Sequence, residues 1–171
     1  MMTPTENVLE TDRLLLSKLK VDDAPFILRL VNEPSWLRYI GDRGVKNLED
    51  AENYIVNGPM KSYETNGFGL YLVRLRNGTP IGLCGILKRD TLNDPDIGFA
   101  FLPEHTGMGY AFESAQAVLT YGKTVLGLNR IVAITSPDNS RSGKLLEKLG
   151  MKFSKMVRLA GDKEDTRFYE D

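Results

Sequence analysis

A short turn containing two glycines, between a strand and a long helix, places the strongest constraint on this chain. The turn is Thr106-Gly107-Met108-Gly109-Tyr110-Ala111, with a strand predicted before it over 96–102 and a helix after it over 110–126. A helix start leaves backbone N–H groups unpaired and carries the positive end of the helix dipole. The two glycines let the backbone approach a bulky anion without a Cβ in the way. The segment therefore predicts a phosphate or pyrophosphate site.

Other phosphate-binding patterns fit this turn less well. A P-loop would need Lys followed by Ser or Thr after its second glycine. A dinucleotide fingerprint needs a third small residue where Phe112 stands, and an acidic residue at the end of the next strand, where Thr135 stands. On the preceding strand, Gly98 and Ala100 share one face, which leaves space either for a ligand or for a packed helix.

The order of the other elements predicts a single domain over residues 1–171. Alternating or apolar runs predict strands over 14–19, 68–75, 81–87, 96–102, 130–135, 151–159 and 167–169. Helical spacing predicts helices over 21–31, 36–40, 48–63, 110–126 and 142–149, with an interruption of the third at Gly58-Pro59. This order is typical of a mixed α/β or α+β sheet fold.

Composition limits the class of function. The 171 residues include 22 basic and 23 acidic side chains, so no overall positive field draws the chain to nucleic acid or anionic lipid. One His and one Cys give no basis for a His/Cys metal site, and the apolar run around Cys84 indicates a buried, inert thiol. Residues 1–9 lack the features of a signal peptide, and no stretch approaches the ~18 apolar residues of a membrane span. We therefore expect a cytoplasmic protein without a metal.

A second informative segment, Asn139-Ser140-Arg141-Ser142, begins the last predicted helix. Asn139 and Ser142 share a helical face with three leucines: Leu145, Leu146 and Leu149. Polar groups at the start of this apolar face lie near the strand ends, where a ligand could use them. The alternative is a helix cap, because Asn and Ser in a first turn usually bond to backbone N–H groups.

Together these segments resemble the GNAT family of N-acetyltransferases. The family's acetyl-CoA motif is Gln/Arg-x-x-Gly-x-Gly/Ala, which 106–111 matches except at Thr106. Within the family the chain is most similar to the RimJ/RimL branch of ribosomal-protein N-acetyltransferases, over roughly residues 10–170. The likeness to that branch rests on Glu10-Thr11-Asp12-Arg13-Leu14-Leu15-Leu16, Ile97-Gly98-Phe99, Gly107-Met108-Gly109-Tyr110-Ala111-Phe112-Glu113, Asn139-Ser140-Arg141-Ser142 and Leu149-Gly150-Met151.

The resemblance implies a fold and a cofactor site. The fold would be a mixed, mostly antiparallel sheet of about seven strands flanked by helices, with a V-shaped split between the strands at 96–102 and 130–135. Acetyl-CoA would lie in that split, with its pantetheine arm on the first strand's backbone and its pyrophosphate on the turn. By match, Asn139 would bind the pantetheine arm or guide the thioester, and Ser142 would hold or protonate the leaving thiolate. The cofactor-binding residues expected beside these two are Phe99, Phe101, Leu102, Gly107, Met108, Gly109, Tyr110 and Ala111.

Two departures from the family pattern affect the site. Thr106 replaces Gln or Arg, which removes a pyrophosphate contact. Many members carry a general-acid Tyr on the last helix, where this chain has Leu145 and Leu146. Ser142 is therefore the only candidate acid on that helix.

The general base and the acceptor side rest on weaker patterns. A neutral amine must attack the thioester, so a carboxylate or a water chain has to accept its proton. Asp96, at the start of the strand beside the thioester path, is the candidate base, with a solvated strand-end carboxylate as the alternative. Trp36 and Tyr39 are the candidate substrate-binding residues, with core packing as the alternative. Further loop candidates near the site are Glu33, Asp42, Asp94 and His105.

These observations predict an acetyl-CoA-dependent N-acetyltransferase that acts on a primary amine by direct attack in a ternary complex. The alternative is a non-catalytic domain that binds acetyl-CoA or CoA, while a nucleotide-dependent oxidoreductase fits the turn poorly. The acceptor stays open among a protein N-terminus, a polyamine, an amino acid and an antibiotic amine. We expect a monomer or homodimer with no nucleic-acid or membrane partner.

Overall fold

The fold is built on one sheet of eight strands. A computed structural model describes residues 7–171 of the chain, and every structural statement below concerns that range. The strands follow the order β1-β2-β3-β4-β5-β6-β8-β7, and every neighbouring pair is antiparallel except β5 with β6. Their bounds are β1 Asn7–Glu10, β2 Leu14–Lys18, β3 Leu70–Leu75, β4 Pro80–Leu87, β5 Asp96–Phe101, β6 Val132–Thr135, β7 Lys152–Val157 and β8 Thr166–Glu170.

The structure confirms the mixed, mostly antiparallel sheet and adds one strand to the seven expected. The added strand is β1, which pairs antiparallel with β2 and packs Val8 and Leu9 against the core. It is short and half exposed, so its sequence carries little apolar alternation. Residues 1–6, which belong to the segment expected to lack a signal peptide, lie outside the described residues.

Six α-helices flank the sheet. The predicted long helix over 48–63 is interrupted, as expected, by a π-helical turn at Val56–Met60 that contains Pro59. Proline has no N–H for the regular i→i−4 bond, so the backbone widens at this point. The helix bounds are α1 Ala24–Leu30, α2 Pro34–Tyr39, α3 Leu48–Ile55, α4 Lys61–Asn66, α5 Tyr110–Thr124 and α6 Ser140–Lys148.

The sheet separates two hydrophobic cores. One core joins the sheet to α5 and α6 through Ala115, Val118 and Leu146. The other joins the opposite face to α1 and α3, with Ile27 and Ile55 fully buried. Strand β5 contributes alternate residues to the two faces, as period-two alternation requires.

The sheet is split between β5 and β6. These two parallel strands share a single register pair, Asp96 with Val132, and the Val132 amide donates to the Pro95 carbonyl at 2.9 Å. Beyond that point β5 remains fully paired with β4, and β6 remains paired with β8. Backbone pairing is therefore lost only between β5 and β6, and this loss confirms the V-shaped split.

The described residues contain neither a membrane-spanning helix nor a cluster of metal ligands. None of the helices is both long enough and apolar enough to span a bilayer. Within 7–171, no three His, Cys, Asp or Glu side chains come together in a group that could hold a metal ion.

Candidate active site

A cavity of about 860 Å³ runs through the split and opens toward both faces of the sheet. On one face it reaches the glycine turn and the start of α6, and on the other it reaches α2 and α3. Most of the residues predicted from the sequence line it: Trp36, Tyr39, Asp96, Phe99, Phe101, Gly107, Gly109, Tyr110, Ala111, Asn139 and Ser142. The fold thus brings segments from four separate parts of the chain to one space.

The glycine turn presents unpaired amides to this cavity. Gly107 and Gly109 have φ values of 78° and 84°, in the left-handed region that side chains with a Cβ rarely adopt. The first regular bond of α5 runs from the Glu113 amide to the Gly109 carbonyl at 3.0 Å. The amides of the preceding residues, Tyr110 to Phe112, therefore have no acceptor within the helix. This is the arrangement that binds an anion at a helix N-terminus.

Arg13 at the end of the β1–β2 turn holds the glycine turn in place. Its Nη1 donates to the Met108 carbonyl at 3.0 Å, and its guanidinium lies 4.5 Å from the centre of the Tyr110 ring. Its Nε donates to Glu113 Oε1 at 2.7 Å. A Cβ added at Gly109 would come within 3.2 Å of the Arg13 Nη2 atom. The predicted turn is thus tied to a segment about 95 residues earlier in the chain.

Glu113 is the centre of this network. Its Oε2 accepts hydrogen bonds from the Thr11 hydroxyl and from the Arg13 amide, while its Oε1 accepts from the Arg13 side chain. Burial alone would raise the pKa of Glu113, but the hydrogen bonds from Thr11 and Arg13 outweigh it and lower the pKa. Near neutral pH, the Glu113 carboxylate is therefore ionised in the folded protein.

The start of α6 confirms the helix cap and leaves the ligand-binding interpretation as a prediction. Asn139 caps the helix, because its Oδ1 accepts a hydrogen bond from the Ser142 amide at 3.3 Å. Asn139 also lines the cavity, so the cap does not remove it from the site. Ser142 lines the cavity too, and its hydroxyl makes no hydrogen bond to any residue within 7–171. Ser142 can therefore donate to a ligand.

The face of the cavity next to the glycine turn is positively charged. Arg141 and Lys148 of α6 line it, and the Lys148 ammonium lies 4.4 Å from the centre of the Phe112 ring. Neither side chain forms an ion pair with another described residue. Thr106 does not supplement them, because its hydroxyl donates to the Pro103 carbonyl at 2.8 Å.

The backbone of β5 offers polar groups along the split. The Leu102 amide donates to Ile81 of β4 and the Pro95 carbonyl accepts from β6, so odd-numbered residues direct their backbone groups toward the split. Phe99 and Phe101 are therefore available to a ligand, whereas the Leu102 amide is already used and its side chain is buried on the other core. Met108 also lies outside the cavity lining, with its side chain half exposed to solvent.

Asp96 is buried at the narrow end of the split. Its side chain is 1% exposed, and Arg89 Nε donates to both of its carboxylate oxygens, at 3.0 and 3.2 Å. Burial raises the pKa of Asp96, while the Arg89 charge and hydrogen bonds lower it, and the net direction is upward. The expected alternative of a solvated strand-end carboxylate is wrong, because β4, β5 and the Arg89 side chain enclose it.

The face of the cavity opposite the glycine turn is covered by α2. Trp36 is buried in the second core, which confirms the packing interpretation, and it also lines the cavity, so its role in substrate binding stays a prediction. The Tyr39 carbonyl accepts a hydrogen bond from the Ser136 hydroxyl at 3.1 Å, and Arg38 pairs with Asp138 at 3.2 Å. These two contacts join α2 to the loop after β6 across the split.

The other candidate side chains divide into those that line the cavity and those that do not. Three carboxylates do not line the cavity and instead pair with basic side chains: Glu33 with Arg29, Asp42 with Lys46, and Asp94 with Arg130. His105 does line the cavity, beside the glycine turn. Burial raises the pKa of the Cys84 thiol to about 12, against a hydrogen bond from Ser114 that lowers it. Cys84 is therefore the inert buried thiol that the sequence predicts.

Comparison with known proteins shows the family to which this chain belongs. Residues 13–152 match the family profile described as an acetyltransferase (GNAT) domain, which is more than half of the chain. The chain belongs to the GNAT acetyltransferase family. It is 31% identical over 152 residues to the uncharacterized N-acetyltransferase YoaA of Bacillus subtilis (strain 168), a match that covers 88% of this chain and 86% of YoaA. The prediction of an acetyltransferase is thereby confirmed.

Solved structures agree with the fold of this GNAT acetyltransferase. An acetyltransferase from Agrobacterium tumefaciens str. C58 superimposes with a TM-score of 0.81 at 26% identity, covering 100% of this chain and 95% of that one. RimL, a ribosomal L7/L12 α-N-protein acetyltransferase solved with coenzyme A, gives a TM-score of 0.83 at 19% identity, with 97% of each chain covered. The likeness to RimL is one of fold, so the RimJ/RimL branch remains a prediction.

Sequence reasoning missed three arginines at or beside the candidate site, two that line the cavity and Arg13, which contacts the glycine turn. Arg13 was part of the segment that carries the family resemblance, but nothing in its spacing showed that it reaches the glycine turn. Arg43 and Arg89 lie in loops, far in sequence from both motifs, and line the cavity on the side of α2. Because loop positions follow no helical or strand period, only the folded chain shows where these side chains lie.

The Glu113 network predicts a specific dependence of stability on pH. Because the folded-state pKa of Glu113 lies below its usual 4.5, its contribution to stability is present above that pH and is lost on further acidification through the folded value. Glu113→Gln should lower the free energy of unfolding by about 1 kcal/mol at pH 7. The difference from the unmodified protein, measured by urea unfolding at pH 7 and at pH 3, should be smaller at pH 3.

Glu147→Gln is the matched control for this prediction. Glu147 is exposed on α6 and forms no ion pair within 7–171. It should change the free energy of unfolding little at either pH. A Glu113→Gln effect that is the same at pH 7 and pH 3 would show that the carboxylate's charge does not hold the turn.

Proposed function

We propose that this GNAT acetyltransferase moves the acetyl group of acetyl-CoA to a primary amine by direct attack in a ternary complex. The observation that carries the proposal is the single cavity through the split, which joins an anion site on one face of the sheet to a second compartment on the other. The amine nitrogen bonds to the thioester carbonyl carbon, and the carbon–sulfur bond breaks. The amine loses a proton and the departing thiolate gains one.

The face with the glycine turn fits acetyl-CoA. Its pyrophosphate would accept hydrogen bonds from the amides at the start of α5, and Arg141 and Lys148 would stand beside its phosphates. Its pantetheine amides would hydrogen-bond to the free backbone groups of Phe99 and Phe101. The pantetheine arm would thereby extend the sheet into the split. Asn139 and Ser142 lie where that arm would pass between α6 and the strands.

The narrow end of the split supports Asp96 as the group that accepts the amine's proton. Its carboxylate lies at the point where β5 and β6 meet, beside the path expected for the thioester. A base is most effective when its pKa approaches the working pH, and burial moves the pKa of Asp96 in that direction. Arg89 opposes this rise in pKa, because its positive charge lies beside the carboxylate and its Nε donates hydrogen bonds to it.

Ser142 is the proposed proton donor to the thiolate. Its hydroxyl is uncommitted within 7–171 and lies on the wall of the cavity formed by α6. No covalent acyl-enzyme on Cys84 enters the proposal, because that thiol is buried in β4 and protonated. The acceptor amine belongs either to a peptide N-terminus or to a small molecule.

Binding of acetyl-CoA at the glycine turn is tested by matched glycine variants. At 100 times its dissociation constant, acetyl-CoA should add about 2.7 kcal/mol of stability, or roughly 5–10 °C in melting temperature. Gly107→Val should abolish most of this shift, because a side chain at this position enters the anion site. The proposed function also requires turnover. When a panel of primary amines is tested with acetyl-CoA, at least one should cause the release of free CoA, which a thiol reagent measures.

Gly127→Val is the matched control. Gly127 also has a positive φ, 70°, with open space around its Cβ, but lies between α5 and β6 away from the cavity. Both variants carry the same backbone strain, of about 1–3 kcal/mol, and should lose similar stability without ligand. Equal acetyl-CoA shifts in the two variants would place the anion site elsewhere.

Ser142→Ala tests the proton donor. An interaction that strengthens as charge develops on sulfur lowers kcat more than it raises KM for acetyl-CoA. We expect kcat to fall about 100-fold, at the low end for a single positioned acid. Asn139→Ala, by contrast, should mainly weaken acetyl-CoA binding. A stable Ser142→Ala enzyme with unchanged kcat would remove Ser142 from the mechanism and leave water as the donor.

Asp96→Asn tests the base while keeping the shape of the side chain. We expect kcat/KM to fall by about 10²–10⁴ when the carboxylate no longer accepts a proton. The fall in rate at low pH, which reports protonation of the base, should also be absent from the pH–rate profile of the variant. A purely structural Asp96 would instead show a lower melting temperature with an unchanged pH–rate profile.

A further inference from the structure

The compartment on the side of α2 has an unbalanced positive charge. Its charged lining residues are Arg43, Arg89 and Asp96, and its neutral polar groups include the hydroxyls of Ser35, Tyr39 and Tyr54. Arg43 and Arg89 both act on the Tyr54 hydroxyl: burial raises the pKa of Tyr54, and the two guanidinium charges partly offset that rise. The two arginines therefore face one region of the compartment.

Only one of these two positive charges is neutralised. Arg89 Nε donates to both oxygens of Asp96, at 3.0 and 3.2 Å, and Asp96 is the only carboxylate among the described residues that line the cavity. Arg43 forms no ion pair with any residue in 7–171, and its neighbour Asp42 is held by Lys46 and the Gly44 amide. One positive charge thus remains where the acceptor amine must enter.

We infer that the acceptor is a primary amine that also carries a carboxylate, which Arg43 binds. This inference rests on the proposed function and names the substrate class of the same site. Arginine presents a planar fork of donors that matches the geometry of a carboxylate. The same chemistry is offered by a small amino acid and by an acidic side chain next to a peptide N-terminus.

The charge of the compartment also disfavours other acceptors. A polyamine or an aminoglycoside brings several ammonium groups, and a positive site with no free carboxylate repels them. For a carboxylate-bearing amine, Arg43 neutralises the carboxylate, whose negative charge would otherwise favour the protonated form of the amine. The uncharged amine is the form that attacks the thioester.

The experiment compares paired acceptors that differ only in the carboxylate. One pair is the dipeptide amides Ser-Asp-NH₂ and Ser-Asn-NH₂, the other is 4-aminobutyrate and its amide, and spermidine is the polycation. The unmodified enzyme should favour the acid of at least one pair by about 10- to 100-fold in kcat/KM, as expected of a charge-assisted hydrogen bond. The pair that shows the preference identifies the peptide or the small molecule as the source of the carboxylate.

Variants at Arg43 assign the preference to this residue. Arg43→Gln should bring the acid-to-amide ratio close to one, and Arg43→Lys should keep most of the preference. The KM for acetyl-CoA should change by less than about twofold in both, since Arg43 lines the other face of the cavity. Arg158→Gln is the matched loss of charge, because Arg158 is exposed in the β7–β8 hairpin, and it should leave the ratio unchanged.

The outcomes separate this inference from the proposed function. Spermidine turned over better than both acids, or a ratio that survives Arg43→Gln, overturns the carboxylate inference while acetyl transfer itself still stands. An enzyme that shows the acetyl-CoA melting shift but releases no CoA with any of these amines overturns both.

Discussion

The loss of backbone pairing between β5 and β6 is the constraint on which the rest of this structure depends. A sheet that ends its pairing inside the fold leaves N–H and C=O groups unsatisfied, and such groups must find partners. Here the pairing stops after Asp96 and Val132, while each strand keeps its other neighbour. The exposed backbone of β5 therefore faces a cavity in place of a strand, and a ligand with amide groups can complete the sheet.

Stability around that gap comes from contacts that cross it or surround it. The Tyr39–Ser136 hydrogen bond and the Arg38–Asp138 pair join α2 to the loop after β6 on one face. The Arg13–Glu113 network joins the β1–β2 turn to the start of α5 on the other. The first two contacts cross the split and the Arg13–Glu113 network holds the glycine turn beside it, so none of them fills the split itself.

Both faces of the cavity carry positive charge, and the consequence differs between them. Next to the glycine turn, Arg141 and Lys148 add to the positive end of the α5 dipole, which suits the phosphates of acetyl-CoA. On the side of α2, Arg89 is neutralised by Asp96 and Arg43 is not. The first face supports the proposed binding of the donor, and the second supports the proposed acidic acceptor.

The sequence by itself determined the local elements and the cofactor motif. The period of apolar residues, the Gly107–Gly109 spacing and the Gly58-Pro59 interruption are properties of neighbouring residues, so seven of the eight strands, α5 and the broken helix could be predicted. The family resemblance added the split and the positions of Asn139 and Ser142. The tertiary structure alone decided which long side chains reach the site. Arg13 reaches Met108 from 95 residues away, and Asp96 is enclosed by Arg89, because strand order and loop paths set these distances and no local period encodes them.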